Sequence, residues 1–179
     1  LSRNAAGRVV PLAAQRAYRR LDDAFVGWFA SVAVALPALF LRLWQLGRPN
    51  SFMFDETYYA KDAWSLANFG YVRSYQSGAD EKMLAGRVDG LWTDDPSMIV
   101  HPEVGKWLIA LGERAFGMDP FGWRVAAAVV GSLMVLVMCR FARRLTGSTA
   151  LGCVAGLLLS FDGLHLVLSR MALLDIFVA

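Results

Sequence analysis

Long apolar runs alternate with charged intervals along this chain. Residues 24–41, AFVGWFASVAVALPALFL, carry no charged side chain over 18 positions, and with the following RLWQL they are long enough for a helix to cross a bilayer. Comparable runs follow later in the chain, and another begins shortly before its end. The pattern predicts membrane-spanning helices at 24–46, 121–139 and 150–168, with 169–179 as the start of a fourth span.

Basic residues cluster at the ends of these runs. Residues 1–23 contain five arginines and the link 140–149 contains three. The positive-inside rule therefore predicts that both segments are cytoplasmic and that 47–120 lies on the opposite side of the membrane. A secretory signal peptide is a poorer interpretation, because the first apolar run is long and lacks a small-x-small cleavage site.

The composition supports a membrane protein. Hydrophobic residues make up 56% of the chain and the mean hydropathy is +0.42, which is too apolar for an ordinary soluble domain. The net charge of +3 does not indicate nucleic-acid binding, since the basic residues flank apolar runs. Cys139 and Cys153 both lie in such runs and define no disulfide framework. Because the last run stops short, we interpret the sequence as the N-terminal part of a larger multi-pass protein of the cell membrane.

The long interval between the first two spans is predicted to contain two helices. DETYYAKDAWSLANFG indicates a helix at about 56–69 that ends at Gly70, and HPEVGKWLIALGERAFG indicates another at about 102–116. The second has apolar residues at 3–4 spacing, so it is predicted to lie on the membrane surface or to pack against the spans. The residues between the helices, rich in Gly and Asp, are typical of an irregular loop.

Two adjacent carboxylates, Asp55 and Glu56, stand at the start of the first loop helix, surrounded by aromatic residues. They could simply stabilise the helix, because negative charges near its N-terminus interact favourably with the helix dipole. They could also form a site, because a partly dry aromatic environment tunes a carboxylate toward general-base chemistry. Neighbouring helix positions point about 100° apart, so the two acids are expected to have different roles.

Four cationic or titratable residues are candidates for binding an anionic group. Arg42 and Arg124 lie at the ends of two spans that face the acid pair. Each could extend to the interface or serve as a counter-charge for a headgroup or for the acids. His101 and Lys106 could lie near a phosphate, or could cap a helix and extend to the interface.

Polar residues also occur in the last two apolar runs. Asp162 and His165 are three positions apart, which suits a proton relay, part of a metal site or a buried hydrogen bond. Two ligands do not complete a metal site, so the hydrogen bond is the preferred interpretation. Arg170 and Asp175 could form an ion pair.

The segments FDETYYAKDAWSL, HPEVGKWLIALGERAFG, GWRVAAAVVGSLMV and FDGLHLVLSRMALLDIF, in this order, resemble the protein O-mannosyltransferases. These are integral membrane glycosyltransferases of the GT-C class. The similarity extends from about residue 40 to the end and is greatest to bacterial members, which use a polyprenyl-phosphate-mannose donor. It implies an all-α, polytopic GT-C helical bundle with amphipathic helices in a large first extracytoplasmic loop.

The resemblance also implies roles for residues. Asp55 and Glu56 match the family's catalytic acid pair, with Asp55 as the base and Glu56 in an orienting or acceptor-binding role. Arg42 and Arg124 match family arginines. His101 belongs to a His-Pro motif whose usual second proline is replaced here by Glu103.

The implied reaction is inverting transfer of mannose to Ser or Thr hydroxyls of exported polypeptides. The transfer could take place during Sec translocation of the polypeptide. A divalent cation could serve as a cofactor. The leaving phosphate is a stable anion, so a base without a general acid suffices, whereas glycoside hydrolysis needs two carboxylates. Another GT-C transferase with a different sugar or a lipid acceptor, a transporter segment and a non-catalytic scaffold are the alternatives. The chain by itself is expected to be inactive.

Overall fold

The computed structural model describes the backbone of residues 2–3, 9–10, 12–98 and 100–178, and the side chains of 24–98 and 100–178. Most of this backbone is helical. The elements in chain order are β1 (Ser2–Arg3), β2 (Val9–Val10), α1 (Leu12–Leu43), α2 (Glu56–Phe69), β3 (Arg73–Tyr75), α3 (Ala79–Leu84), β4 (Trp92–Pro96), α4 (Val104–Phe116), α5 (Pro120–Thr146), α6 (Thr149–Phe161), α7 (Gly163–Leu168) and a 3-10 helix (Leu174–Phe177).

Three apolar helices, α1, α5 and α6, pack against one another as a bundle. Two of them contain segments long and apolar enough to cross a membrane, Ala24–Leu43 and Pro120–Thr146, while Thr149–Phe161 is a shorter apolar helix. Most side chains in these two segments face outward rather than into the bundle. Apolar side chains on the outside suit a protein surrounded by lipid.

The helices differ from the predicted spans in three places. Helix α1 begins at Leu12, inside the predicted basic tail, whose side chains lie outside the described residues. Helix α5 continues to Thr146, so the predicted link 140–149 is mostly helical, because its arginines are good helix formers. The predicted third span is broken at Asp162, which adopts an extended backbone and caps α7 by accepting a hydrogen bond from the His165 amide.

Glycines let the bundle helices approach closely. A Cβ on Gly156 would collide with Cys139 Sγ, and one on Gly152 would stand 2.6 Å from the Cys139 carbonyl oxygen. On the other side of α5, a Cβ on Gly131 would collide with Ser169. Small residues at helix contacts are the usual means of close packing in membranes. Here they fix α5 against both α6 and the turn after α7.

Residues 47–119 form a compact subdomain beside one end of the bundle. Helix α2 packs on α4, and α4 packs on the first turns of α5. Strands β3 and β4 pair antiparallel, with Arg73 opposite Pro96 and Tyr75 opposite Trp92. This hairpin and α3 occupy the segment predicted to be irregular, so the described chain is not purely α-helical. The core of the subdomain includes Tyr59, Ala60, Ala63, Ala79, Met83, Leu91, Ile109, Ala110, Met118 and Trp123.

Residues 169–178, predicted to begin a fourth spanning helix, contain no regular α-helix. They form turns and the 3-10 helix, and the side chains of Met171, Ala172, Leu173 and Leu174 complete the subdomain core. The amide of Ala172 donates to Glu56 Oε1 at 2.9 Å. The apolar side chains of this run are therefore buried by protein over these residues.

Helix α4 turns its predicted apolar stripe away from the core. Val104, Trp107 and Leu111 are exposed, whereas Lys106 and Glu113 are buried. Close contacts explain this orientation, since Gly112 lies against the Gly122 carbonyl of α5. The stripe therefore forms no part of the core among the described residues.

Candidate functional site

The acid pair lies where the chain enters α2. Asp55 occupies the N-cap position, with an exposed side chain that makes no capping hydrogen bond. The preceding residue, Phe54, has φ +52° and is 81% exposed. A left-handed conformation costs a non-glycine residue about 1–2 kcal/mol. The turn is nevertheless held, because Met53 N donates to Glu56 Oε2 at 2.9 Å.

Glu56 is completely buried and its carboxylate accepts four hydrogen bonds. Arg124 donates through Nε to Oε1 and through Nη2 to Oε2, both at 2.8 Å. The amides of Met53 and Ala172 supply the other two donors. We call this arrangement the Glu56–Arg124 knot. It joins the start of α2, the start of α5 and the segment after α7.

Arg124 is equally saturated. Besides Glu56, its Nη1 donates to the carbonyls of Leu46 and Pro49, and its Nη2 donates to the carbonyl of Ser51. These bonds use all five N–H groups of a guanidinium. Arg124 thus pairs with Glu56 and has no donor left for a phosphate.

Asp55 borders a cleft that is also lined by Tyr58, Tyr59 and Asp62 of α2. Two open cavities of about 440 and 420 Å³ adjoin there and share Tyr59 and His101. We call them together the cleft. The first cavity is lined by Asp55, Tyr58, Tyr59, Asp62, Tyr75, Ser97, Met98, Val100 and His101, and the second by Tyr59, His101, Pro102, Val104, Gly105, Leu174, Asp175, Phe177 and Val178. The cleft is therefore mostly aromatic and apolar, with acids at both ends.

Tyr59 stands between the two ends of the cleft. Its hydroxyl donates to Asp55 Oδ2 at 3.4 Å, and the His101 ring packs edge-on against it at 5.8 Å. Burial raises the pKa of Tyr59, and the negative charges of Asp55 and Asp175 raise it further. The hydroxyl is consequently a neutral donor between two acids.

Lys106 lies beneath the cleft and does not enter it. The side chain is fully buried, and Nζ donates to Asp62 Oδ2 at 2.7 Å. Asp62 also accepts from the Tyr75 hydroxyl. Burial raises the pKa of Asp62, although Lys106 opposes the shift. The expectation that Lys106 binds phosphate thus meets a contrary geometry, because its ammonium is already paired with a buried carboxylate.

Arg42 is also buried, inside the bundle. Its Nη1 donates to the Ala38 carbonyl at 3.0 Å, and Nη2 lies 2.8 Å from His165 Nδ1. Neither contact involves Asp55 or Glu56. Arg42 is absent from the lining of the cleft.

The remaining candidate residues, Asp162, His165 and Arg170, have hydrogen-bond partners within the protein. Arg170 does not pair with Asp175. Its guanidinium instead donates to the carbonyls of Leu41, Arg42 and Trp44 at the end of α1. The Asp162 side chain is exposed and accepts from the backbone amide of His165, whereas the His165 ring contacts Arg42, so the two side chains do not form the buried hydrogen bond expected from the sequence. Among residues 24–98 and 100–178 there is no group of three His, Cys, Asp or Glu side chains placed to hold a metal ion.

The structure thus brings Asp55 and His101 together and separates them from Glu56, Arg42, Arg124 and Lys106. Two cleft residues were missed in the sequence. Tyr59 could have been found, because it lies one helical turn after Asp55 and shares its face. Asp175 had no local signal, since only the fold-back of the chain after α7 brings it to the cleft.

The fold and site define a helical membrane protein with a carboxylate-lined cleft beside one end of its apolar bundle. Residues 32–179 match the family described as dolichyl-phosphate-mannose-protein mannosyltransferase. The chain belongs to this family.

Curated relatives agree with this membership. The chain is 36% identical over 159 residues to a polyprenol-phosphate-mannose–protein mannosyltransferase of Mycolicibacterium smegmatis, which covers 87% of this chain and 27% of the relative. It is 33% identical over 173 residues to the Corynebacterium glutamicum protein of the same name, with 97% and 31% covered.

A more distant similarity covers only part of the chain. An undecaprenyl phosphate-alpha-4-amino-4-deoxy-L-arabinose arabinosyl transferase of Pseudomonas aeruginosa is 39% identical over 74 residues, or 41% of this chain and 14% of the relative. No solved structure matches the chain significantly. The chain spans roughly a third or less of the length of the curated mannosyltransferases it matches.

Proposed function

We propose that the whole protein transfers mannose from a polyprenyl-phosphate-mannose lipid to Ser or Thr hydroxyls of exported polypeptides, with Asp55 as the general base. The observation that carries the proposal is the contrast within the acid pair. Glu56 is buried with four donors, whereas Asp55 is exposed at the rim of the cleft with a single weak donor. An acid with open lone pairs can accept a proton from a substrate.

In this mechanism the acceptor hydroxyl lies against Asp55. Asp55 takes the hydroxyl proton as the oxygen attacks the anomeric carbon of mannose. The bond between that carbon and the phosphate oxygen breaks, and its electron pair leaves with the lipid phosphate. Attack from the face opposite the phosphate inverts the anomeric configuration. A positioned base of this kind contributes about 10²–10⁴-fold to the rate.

Other cleft residues position the reactants. Tyr59 donates to Asp55 and restrains its side chain. His101 is the side chain in the cleft lining able to carry a positive charge, so it is assigned to the donor phosphate. Glu56, Arg124 and Lys106 act indirectly, by holding α2 and α4 in place.

The exposed rings at the rim suit a lipid donor. Phe54 and Tyr58 flank Asp55 and are both more than half exposed. Amphipathic aromatic residues concentrate where a membrane meets water. We assign the cleft to the extracytoplasmic surface of the cell membrane in a multi-pass protein, consistent with the basic residues at the other end of the bundle.

The test is transfer by membranes that contain the full-length protein, using lipid-linked mannose and a Ser/Thr-rich peptide. Asp55→Asn should lower transfer by about 10²–10⁴-fold with unchanged expression. Asp89→Asn, an exposed acid of the same subdomain, is the matched control and should transfer normally. Near-normal transfer by Asp55→Asn would exclude Asp55 as the base.

A second candidate function is transfer of another lipid-linked sugar. The Pseudomonas relative, named for an undecaprenyl-phosphate aminoarabinose donor, is the observation that favours it. Competition between lipid-linked mannose and lipid-linked aminoarabinose in the same assay distinguishes the two. Preferential use of the amino sugar would replace mannose in the proposal and leave the role of Asp55 unchanged.

A further inference from the structure

The end of the bundle farthest from the cleft carries a cluster of arginines. The last turns of α5 contain Arg140, Arg143 and Arg144. The Arg140 guanidinium lies 4.1 Å from the centre of the Trp28 ring of α1, and its Nη1 has no hydrogen-bond partner among the side chains of 24–98 and 100–178 or the described backbone. An unsatisfied, partly buried guanidinium N–H is costly unless it meets an acceptor.

Two of these guanidiniums converge on Gly27 of α1. Atoms of Arg140 and Arg143 both lie within 3.0 Å of the point where a Cβ on Gly27 would stand. Arg143 also donates to Thr149 Oγ1 at 2.9 Å. An anion beside Arg140 and Arg144 would offset the repulsion between guanidiniums packed this closely.

A cavity opens beside this cluster. Its volume is about 450 Å³, and it is lined by Trp28, Leu136, Val137, Arg140, Phe141 and Arg144. A second cavity of about 300 Å³ adjoins it through Val137 and Phe141 and continues along α5 toward the middle of the span. All residues that line the second cavity are apolar. Together they form a groove with a cationic end and an apolar end.

The geometry points to a binding site for an anionic phospholipid in this groove. The phosphate of the headgroup lies between Arg140 and Arg144, and one acyl chain follows the apolar part along Val137. Arginine forks match phosphate oxygens, and basic pockets between membrane helices are a known means of holding anionic lipid headgroups. Trp28 sits at the level where aromatic rings meet lipid headgroups.

The site is separate from the catalytic cleft. Arg124 and Arg140 stand on one straight helix, and 16 residues of helix rise about 24 Å. A polyprenyl-phosphate sugar that reacts beside Asp55 therefore cannot place its phosphate here. The occupant is accordingly assigned to the phospholipids of the opposite leaflet, with phosphatidylglycerol as the probe.

The experiment is native mass spectrometry of the full-length protein in detergent, titrated with phosphatidylglycerol or phosphatidylcholine. Phosphatidylglycerol should bind at least tenfold more tightly to the unaltered protein, and the double variant Arg140→Gln, Arg144→Gln should lose that preference. The double variant Arg87→Gln, Arg114→Gln removes two exposed arginines of the subdomain and should keep it. Val137→Trp fills the groove without changing its charge and should weaken binding too, which covers the case in which the arginine variant does not fold.

Several outcomes would overturn the inference. One is equal binding of the two lipids, and another is full retention of phosphatidylglycerol by the Arg140, Arg144 variant. Competition by inorganic phosphate alone, at the same concentration as the lipid, would reduce the groove to a simple anion site. Preferential displacement by polyprenyl phosphate would assign it to the donor lipid.

Discussion

The Glu56–Arg124 knot and the cleft both lie at the start of α2, and the two adjacent carboxylates have different surroundings there. In the knot, every acceptor of Glu56 and every donor of Arg124 has a partner inside the protein. In the cleft, Asp55 is exposed and has one long contact to Tyr59. Acids that are adjacent in a sequence therefore need not share an environment or a function. Glu56 has its bonding capacity used within the fold, and Asp55 remains open to solvent.

Burial decides which acid has which role. A buried carboxylate is stable as an ion only when donors replace the water it has lost. Glu56 receives those donors from the turn just before it and from two segments that are distant in sequence, the start of α5 and the residues after α7, so the knot forms only as the fold is completed. Asp55 remains in contact with solvent and needs no such compensation.

The largest effect is expected from breaking the knot. Arg124→Met leaves Glu56 as a buried, uncompensated charge, which should cost about 3–5 kcal/mol of stability. Thermal melting of the full-length protein in detergent measures it, with Arg87→Met, an exposed arginine, as the control. A melting temperature unchanged from the parent would show that the knot is not a stabilising element.

A smaller effect should come from Glu113, which is buried like Glu56 but lacks its donors. Within the part of the chain that the structure describes, neither Oε atom of Glu113 has a hydrogen-bond partner, and burial raises the pKa of this carboxyl well above its usual range. The folded protein therefore holds this proton more tightly than the unfolded chain. This contribution to stability is full below the unfolded pKa of about 4.3 and is lost as pH rises through the folded pKa.

Glu113→Gln should remove that pH dependence. Above the unfolded pKa, the parent loses up to about 1.4 kcal/mol per pH unit through this group, whereas the variant loses none through it. Melting temperatures of both proteins between pH 4 and pH 8 measure the difference. Parallel curves would mean that Glu113 has no raised pKa in the folded protein.

The smallest effect is expected in the cleft. Tyr59→Phe removes the donor to Asp55 but keeps the ring that packs on His101. Loss of one hydrogen bond of about 0.5–1.5 kcal/mol should lower transfer about twofold to tenfold and leave the melting temperature within about 1 °C of the parent. A large drop in melting temperature with normal transfer would mean that the Tyr59 hydroxyl stabilises the fold and does not assist transfer.

The sequence predicted the parts of the fold that depend on local signals. The helix that follows Asp55 begins and ends within the predicted interval because Gly70, at φ +79°, provides a left-handed C-cap. Helix α4 showed its amphipathic period, but the period could not reveal that Lys106 would face inward. That orientation depends on Asp62, a partner 44 positions away.

The candidate site was likewise predictable from the sequence only in part. The acid pair was visible as a sequence feature, and the structure shows that its two members differ in burial and in hydrogen bonding. Arg42 and Arg124 were chosen for their position at span ends, yet their availability depends on contacts with His165 and Glu56 that no local pattern encodes. Asp175 reaches the cleft only because residues 169–178 fold back, where their apolar pattern predicted a span.

The break between α6 and α7 has a consequence for the hydration of the bundle. Helix α6 has 13 residues, a length of about 20 Å, which is less than the hydrocarbon thickness of about 30 Å. The carbonyls of its last turn lose their intrahelical donors at Asp162, whose side chain is exposed. Hydrocarbon cannot supply replacement donors. Water or a polar group of another segment must therefore reach this depth, so acyl chains cannot be the sole neighbours of this part of the bundle.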